Sequence, residues 1–333
     1  MTDDEFVAPA EGETPGDEWE QIDVSDTEAD RIARRQDREF SEFRERLKDA
    51  DQFKVEASVF DDATYAAIYK LVQDGHLAAF GGPISTGKEA NVFEAQTTDG
   101  GDVAVKIYRI NASDFRHMRD YLEGDPRFEG IRGNKKAVVM AWTKKEYANL
   151  KRAAKAGVRV PNPIAVQRNV LVMEYIGREG DPAPTLQEVD VENPDTAFEV
   201  VREYIRRLWD AGLVHGDLSE YNIVVYEGEL VIIDVGQAVT VHHPNAGEFL
   251  RRDCVNVANF FSRQGADADA ETLLEYVTSH ADPWTKGLTE GDEAGVEPEA
   301  ELNPESSSGA ELNRDPDPES EPDAGADSES SPE

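Results

Sequence analysis

The sequence predicts an α+β protein of two lobes, and three observations predict it. Strand-like runs separated by glycine turns fill the first half, at residues 77–93, 103–108 and 169–177, whereas helical periodicity fills the second, best developed at residues 196–211. A lysine, Lys106, interrupts an otherwise apolar strand on one side of the break after residue 176. On the other side, His215-Gly216-Asp217-Leu218-Ser219-Glu220-Tyr221-Asn222 is followed twelve residues later by Asp234 at the end of an apolar run. Chemistry divided between two halves of a chain in this way needs a cleft to bring it together.

Charge is concentrated at the ends. Of a net −36, residues 1–30 carry 12 acids and no Lys or Arg, and residues 287–333 carry 16 acids and one Arg, which leaves −9 for residues 31–286. Acidic, Pro-containing ends with few branched apolar side chains bury too little surface to offset the entropy of ordering, so disorder is expected in residues 1–28 and 287–333. The expected organisation is an acidic segment and charged helix (1–50), an N-lobe (51–172), a hinge and C-lobe (173–286) and an acidic tail (287–333). No run of about 18 apolar residues occurs, so no membrane helix is expected. The start lacks the basic and apolar segments of a secretory signal, and the single cysteine, Cys254, excludes an internal disulfide, so a cytoplasmic location is expected. Arg outnumbers Lys 22 to 12, which with the acidic ends suits a halophile's cytoplasm.

Opposite charges at i,i+4 between residues 28 and 49 read as an exposed helix. Asp61 or Asp62 can cap a second helix through Tyr65, Ile68, Leu71 and Val72, and Gly75 ends it. Strand, glycine-containing loop, strand, hairpin at residues 99–101 and strand follow. Residues 109–143, broken by Gly124, Pro126, Gly130 and Gly133, read as a mobile loop with short helical pieces, and a helix is placed at residues 144–156. Residues 158–163 turn into a strand pair that breaks at Gly177, the natural hinge. Helix 196–211, the strands 223–226 and 230–233, and two last helices near residues 255–261 and 273–277 complete the order.

A charged side chain on a buried strand is costly unless something neutralises it, so Lys106 asks for a function and a partner. Glu146, in the helix that follows, is the best-placed carboxylate. Asp217 and Asn222 on one loop and Asp234 on the next strand supply a base and two oxygen ligands, the set that phosphoryl transfer requires of a protein. Backbone groups around Glu174 to Ile176 are placed to meet an adenine edge. Gly82-x-x-x-x-Gly87-Lys88 has the spacing of an NTPase phosphate loop, but Glu89 replaces the metal-binding hydroxyl and a strand, not a helix, follows, so that reading fails. Between residues 106 and 159 lie 14 Lys/Arg and 6 Asp/Glu, a local excess of +8 that offers a footprint for RNA or another polyanion.

The order of these features matches a protein-kinase-like fold, and three runs are more specific. Ser85-Thr86-Gly87-Lys88-Glu89-Ala90-Asn91-Val92-Phe93, the run from His215 to Asn222, and Ile233-Asp234-Val235-Gly236-Gln237-Ala238-Val239 resemble those of the RIO family of atypical serine/threonine kinases, over about residues 55–285. A single helix before the phosphate loop, in place of a winged-helix domain, is most similar to the first subfamily. The resemblance implies ATP and Mg²⁺ (or Mn²⁺) as cofactors. Ser85, Thr86 and Lys88 would cover the phosphates, Lys106 aimed by Glu146 would grip them, and Glu174 and Ile176 would meet the base. Asn222 and Asp234 would hold the metal and Asp217 would act as base. It also implies a role in maturation of the small ribosomal subunit, with a subunit precursor or rRNA as partner through residues 106–159, ATPase turnover, and transient phosphorylation of Asp234. Gly216 stands where ordinary kinases carry an Arg for a phosphorylated activation loop, and only about 50 residues separate Asp234 from the acidic tail. A C-lobe trimmed of activation segment and peptide-docking helices is therefore expected. An aminoglycoside-kinase type of phosphotransferase shares H-G-D-x-x-x-x-N but needs a larger C-lobe, and a nucleotide-binding scaffold without turnover would not need every catalytic position filled.

Overall fold

A computed structural model describes residues 31–32, 38–49, 60–110, 115–128 and 135–279. All of them lie in the first of two units, Met1–Ala281. The ends for which disorder is expected, residues 1–28 and 287–333, lie outside the described residues, as do residues 111–114 and 129–134 of the expected mobile loop.

The N-lobe is one antiparallel sheet of β1 (Ala79–Thr86), β2 (Ala90–Gln96), β3 (Asp102–Tyr108), β4 (Pro163–Gln167) and β5 (Val170–Glu174), ordered β1-β2-β3-β5-β4. The central strand β3 is buried at every position after Asp102. Its period of two sorts the side chains: Val103, Val105 and Ile107 enter a core beneath α2 (Asp62–Gln73), while Lys106 and Tyr108 point to the opposite face. Helix α2 begins where Asp61 accepts the Thr64 amide at 2.7 Å, and it ends before Gly75 at φ +80°. Helix α1 (Arg38–Asp49) is not wholly solvated. Its Phe40 is buried, and Phe40 and Phe43 lie with ring centroids 5.8 and 5.3 Å from Tyr69 of α2.

The expected loop at residues 109–143 requires a correction. It contains α3 (Phe115–Leu122) and a 3₁₀ turn (Pro126–Phe128), and the following helix, α4, runs over Lys135–Lys155, nine residues longer at its start than expected. The extra turns hold Val138, Val139, Met140, Ala141 and Trp142, all buried. A helix apolar on every face shows no periodicity, and the glycines before it disguised its start.

After the hinge, the small hairpin of β6 (Gly177–Arg178) and β7 (Asp181–Pro182) leads to α5 (Pro194–Asp210), which starts with proline at its first turn. Strand β8 (Leu213–Val214) pairs with β11 (Val239–Thr240), and β9 (Ile223–Tyr226) pairs with β10 (Glu229–Ile232). These two ladders present residues 215–222 and 233–238 side by side. Between Asp234 and α6 (Ala246–Arg263) there are only a 3₁₀ turn and β11, and α7 (Ala270–Ser279) is the last described helix. Among the described residues, the C-lobe thus lacks elements that would form an activation segment and a peptide groove. No described helix is long and apolar enough to cross a membrane.

Candidate active site

Lys106 joins the two lobes. Its Nζ donates to Glu146 Oε1 at 2.7 Å and to Asp234 Oδ1 at 2.8 Å, and the Tyr108 hydroxyl donates to the other oxygen of Glu146. Lys106 and Glu146 are 7% and 1% exposed, so the pair stands where neither charge would survive alone. Burial would push the Lys106 ammonium down, but Asp234 and Glu146 hold its pKa well above that of an ordinary lysine. Lys106 in turn is the main reason that Asp234 titrates below the usual carboxylate range and stays anionic. Asp234 has a left-handed backbone, φ +57° and ψ +60°, a conformation that a non-glycine residue keeps only when its surroundings impose it.

The loop that carries Asp217 is held from below by α6. Asp253, 1% exposed, accepts the amides of Gly216 and Leu218, each at 2.8 Å, and Arg252 donates to the Gly216 carbonyl. Gly216 has φ +79°, and a Cβ there would stand 3.1 Å from the Gln237 carbonyl, so no side chain, arginine included, fits without strain. Between the two anchored amides, Asp217 projects as an exposed carboxylate whose one side-chain hydrogen bond among the described residues comes from the Gln237 amide at 3.2 Å. Burial nearby raises its pKa and Arg252 opposes that rise. Asn222 donates its Nδ2 to the Asp217 carbonyl at 2.7 Å, which fixes its orientation and leaves Oδ1 without a hydrogen-bond partner among the described residues. His215 is buried, lies 3.4 Å from the Ile233 carbonyl, and is pushed down to about 4 by burial. It is a neutral spacer between the loops, not a base.

The loop that carries Gly87 and Lys88 is a tight connection between β1 and β2. The Gly87 amide donates to Ala90 O at 2.9 Å and lies 3.3 Å from Asn91 Oδ1, which also takes Arg109 Nη2 at 3.0 Å. Ser85, Thr86 and Lys88 are exposed on it, with no side-chain bond among the described residues. At the hinge, the Glu174 carboxylate is occupied by both terminal nitrogens of Arg159, at 2.6 and 2.8 Å, and its amide donates to the Asn162 carbonyl at 2.8 Å, so only the Glu174 carbonyl is left to meet a ligand. The Ile176 carbonyl takes the Ala183 amide at 2.9 Å, while the Ile176 amide has no partner among the described residues.

The structure therefore brings Lys106, Glu146 and Asp234 into contact and sets Asp217 and Asn222 on the adjoining loop; Lys88 touches none of them. Sequence reasoning missed Asp253 and Arg252, and also Lys145 and Asn149, whose side chains reach the carbonyls of residues 235–238. A signal for Asp253 was present: it shares a helix face with the buried Leu250, Cys254 and Val257, where an acid needs a reason. The basic stretch changes meaning. Lys106, Arg127 and Lys145 are buried, Arg159 is paired with Glu174, and Arg152 donates to the Ala211 carbonyl at 3.0 Å, so much of the +8 is used inside the fold.

Comparison with known proteins agrees with this geometry. The family model described as the RIO domain matches residues 91–273. The chain belongs to the RIO family of serine/threonine kinases. The RIO-type serine/threonine-protein kinase Rio1 of Haloferax volcanii is 76% identical over 277 residues, covering 83% of this chain and 96% of that protein. The Methanocaldococcus jannaschii protein of the same name is 38% identical, covering 68% of this chain and 78% of its own length. Among solved structures, the Rio2 kinase from Chaetomium thermophilum, as a complex with ADP/Mg²⁺ and phosphoaspartate, aligns with a TM-score of 0.50 at 23% identity, over 66% of this chain and 67% of that one. That likeness supports the RIO fold and nothing finer.

Proposed function

We propose that the chain is an ATP- and Mg²⁺-dependent serine/threonine kinase that transfers the terminal phosphoryl group from the cleft between its lobes, with Asp217 as base. The observation that carries this reading is the Lys106 bridge between Glu146 and Asp234, which holds a charged lysine from one lobe against an anionic carboxylate from the other. The residues present fit the metal: a carboxylate kept anionic and an amide oxygen without a partner are hard oxygen donors of the kind Mg²⁺ takes alongside phosphate oxygens and water. Asp234 and Asn222 would hold it, with Mn²⁺ as a substitute, and when bound it offsets the charge on the transferring phosphates. Lys106 holds the phosphates in register, and the exposed Ser85, Thr86 and Lys88 with nearby amides close over them. The base meets the hinge at the Glu174 and Ile176 backbone. Asp217 orients the attacking hydroxyl and takes its proton; burial raises its pKa, which makes it a better proton acceptor than an ordinary carboxylate. Lys106→Met should lower ATP affinity and turnover together. Unchanged ADP binding in that variant, measured by calorimetry, would remove Lys106 from the phosphate site.

The trimmed C-lobe favours acceptors other than a docked peptide. One is water, which makes the enzyme an ATPase; another is Asp234 itself, and the Chaetomium protein's phosphoaspartate complex is a precedent within the fold. Incubation with γ-labelled ATP should leave hydroxylamine-labile label on the wild type and none on Asp234→Asn. Action on a precursor of the small ribosomal subunit, in the cytoplasm, is proposed on family membership alone. Co-sedimentation with such particles tests it, and an Asp217→Asn variant that neither accumulates on them nor delays their release would end that part of the proposal.

A further inference from the structure

The three-residue turn after Asp234 is gripped by one helix. From α4, Lys145 Nζ donates to the Gly236 carbonyl at 2.8 Å, and Asn149 Nδ2 donates to the carbonyls of Val235 and Ala238 at 3.0 and 2.9 Å. Both side chains are fully buried. These donors fix the backbone immediately after the left-handed Asp234, the residue whose conformation most needs fixing. An asparagine amide can face either way, and here something else sets it. Arg127 Nη1 donates to Asn149 Oδ1 at 2.8 Å, so Nδ2 must point at the turn. Arg127 is itself held by Asp125 through both carboxylate oxygens, and Asp125 and Arg127 are 1% and 3% exposed. Asp125 and Arg127 belong to the segment between α3 and α4 that the catalytic motifs do not include.

We infer that Asp125, Arg127 and Asn149 form a buried relay that positions the metal loop, so that seating of the 125–128 segment sets the affinity of the site for Mg²⁺-nucleotide. Ordinary kinases tie their metal and catalytic loops to an activation segment. This chain has no room for one between Asp234 and α6, and the segment before α4 takes over that support from the opposite side. The helix before that segment also reaches the loop that carries Asp217: Tyr121 of α3 accepts Arg252 at 3.3 Å, and Arg252 holds Gly216.

The inference rests on reading Asp234 as a metal ligand, so its test includes Asp234→Asn. ADP binding is measured by calorimetry with Mg²⁺ and again with EDTA, on Asn149→Ala and on the double variant Asp125→Asn/Arg127→Met, which removes the ion pair without leaving a lone buried charge. Val277→Ala, a buried position on α7 remote from both loops, serves as a control of similar stability. Supporting side chains behind a metal ligand typically change metal affinity 10- to 100-fold. The expected result is about a tenfold loss of Mg²⁺-ADP affinity in Asn149→Ala, a smaller loss in the double variant, no change with EDTA, and no change in Val277→Ala. Hydrogen exchange should also quicken at the amides of residues 235–238 in both relay variants. Wild-type Mg²⁺ dependence in the relay variants, with Asp234→Asn impaired, overturns the inference alone. An equal loss in Val277→Ala overturns it as a general stability effect. A wild-type Mg²⁺ dependence in Asp234→Asn overturns the metal reading and the inference together.

Discussion

Asp253→Asn probes the support of the catalytic loop without touching the reacting groups. Asp253 takes the Gly216 and Leu218 amides on separate carboxylate oxygens, each at 2.8 Å. Asparagine has one oxygen and one NH₂, so one amide loses its acceptor and faces a donor; an unsatisfied buried N–H costs about 1–3 kcal/mol. The pH dependence makes the prediction specific. Burial raises the Asp253 carboxyl from 3.8 to about 7, against the pull of the two amides. A carboxyl whose folded pKa lies above its unfolded one keeps its proton in the native state after the unfolded chain has lost it. Stability from this group therefore falls as pH rises from about 4 to about 7, by about 4 kcal/mol in all, and is level above. Asparagine does not titrate. Urea denaturation of both proteins at pH 5 and pH 8 should show the variant's deficit shrinking by about 3 kcal/mol at the higher pH, since the wild type alone bears the cost of charging. Other titrating groups, His215 among them, are common to both proteins and cancel. A deficit equal at the two pH values would refute this account of Asp253. Turnover should fall about 10- to 100-fold, because one of the two residues flanking Asp217 loses its anchor, while ADP affinity stays near wild type.

Glu146→Ala breaks a buried pair and should cost about 3–5 kcal/mol in denaturant midpoint analysis, with a raised KM for ATP; a loss under about 1 kcal/mol would mean that Asp234 alone suffices for Lys106. Gly216→Ala puts a Cβ at φ +79° and 3.1 Å from the Gln237 carbonyl, and should destabilise by about 1–2 kcal/mol while lowering kcat. Arg252 is the chief group opposing the raised pKa of Asp217. In Arg252→Gln the acid limb of the kcat–pH profile should move to higher pH, because the base then holds its proton longer; a limb that stays in place would detach Arg252 from Asp217.

The central strand of the N-lobe was legible because period-two burial writes itself into composition: Val103, Val105 and Ile107 alternate with Lys106 and Tyr108, and the misplaced charge marks the cleft. The turn between β9 and β10 was legible for a similarly local reason, whereas α5 begins at Pro194, two residues before the start expected for it. What stayed hidden depends on contacts across the chain. The start of α4 was hidden because residues 138–142 are buried on all sides. Asp253 and Asn149 were hidden because their roles lie in backbone groups 35 to 89 residues away, and a backbone carbonyl has no letter in the sequence. For the basic stretch the reverse holds. Its charges are visible in the sequence, but whether each meets water or an internal acceptor is decided only by packing.

The central claim is that Asp217 performs the proton chemistry while Lys106, Asn222 and Asp234 hold the nucleotide and its metal. Asn222 is tethered to the Asp217 backbone, not to its side chain, so the side chain is removable without disturbing the ligand set. Single-turnover phosphoryl transfer and Mg²⁺-ADP affinity measured on Asp217→Asn separate the two roles. The account predicts affinity within about threefold of wild type and a rate at least about 100-fold lower. A variant that transfers phosphate at a rate within tenfold of wild type, or that loses nucleotide in proportion to its rate, would contradict it.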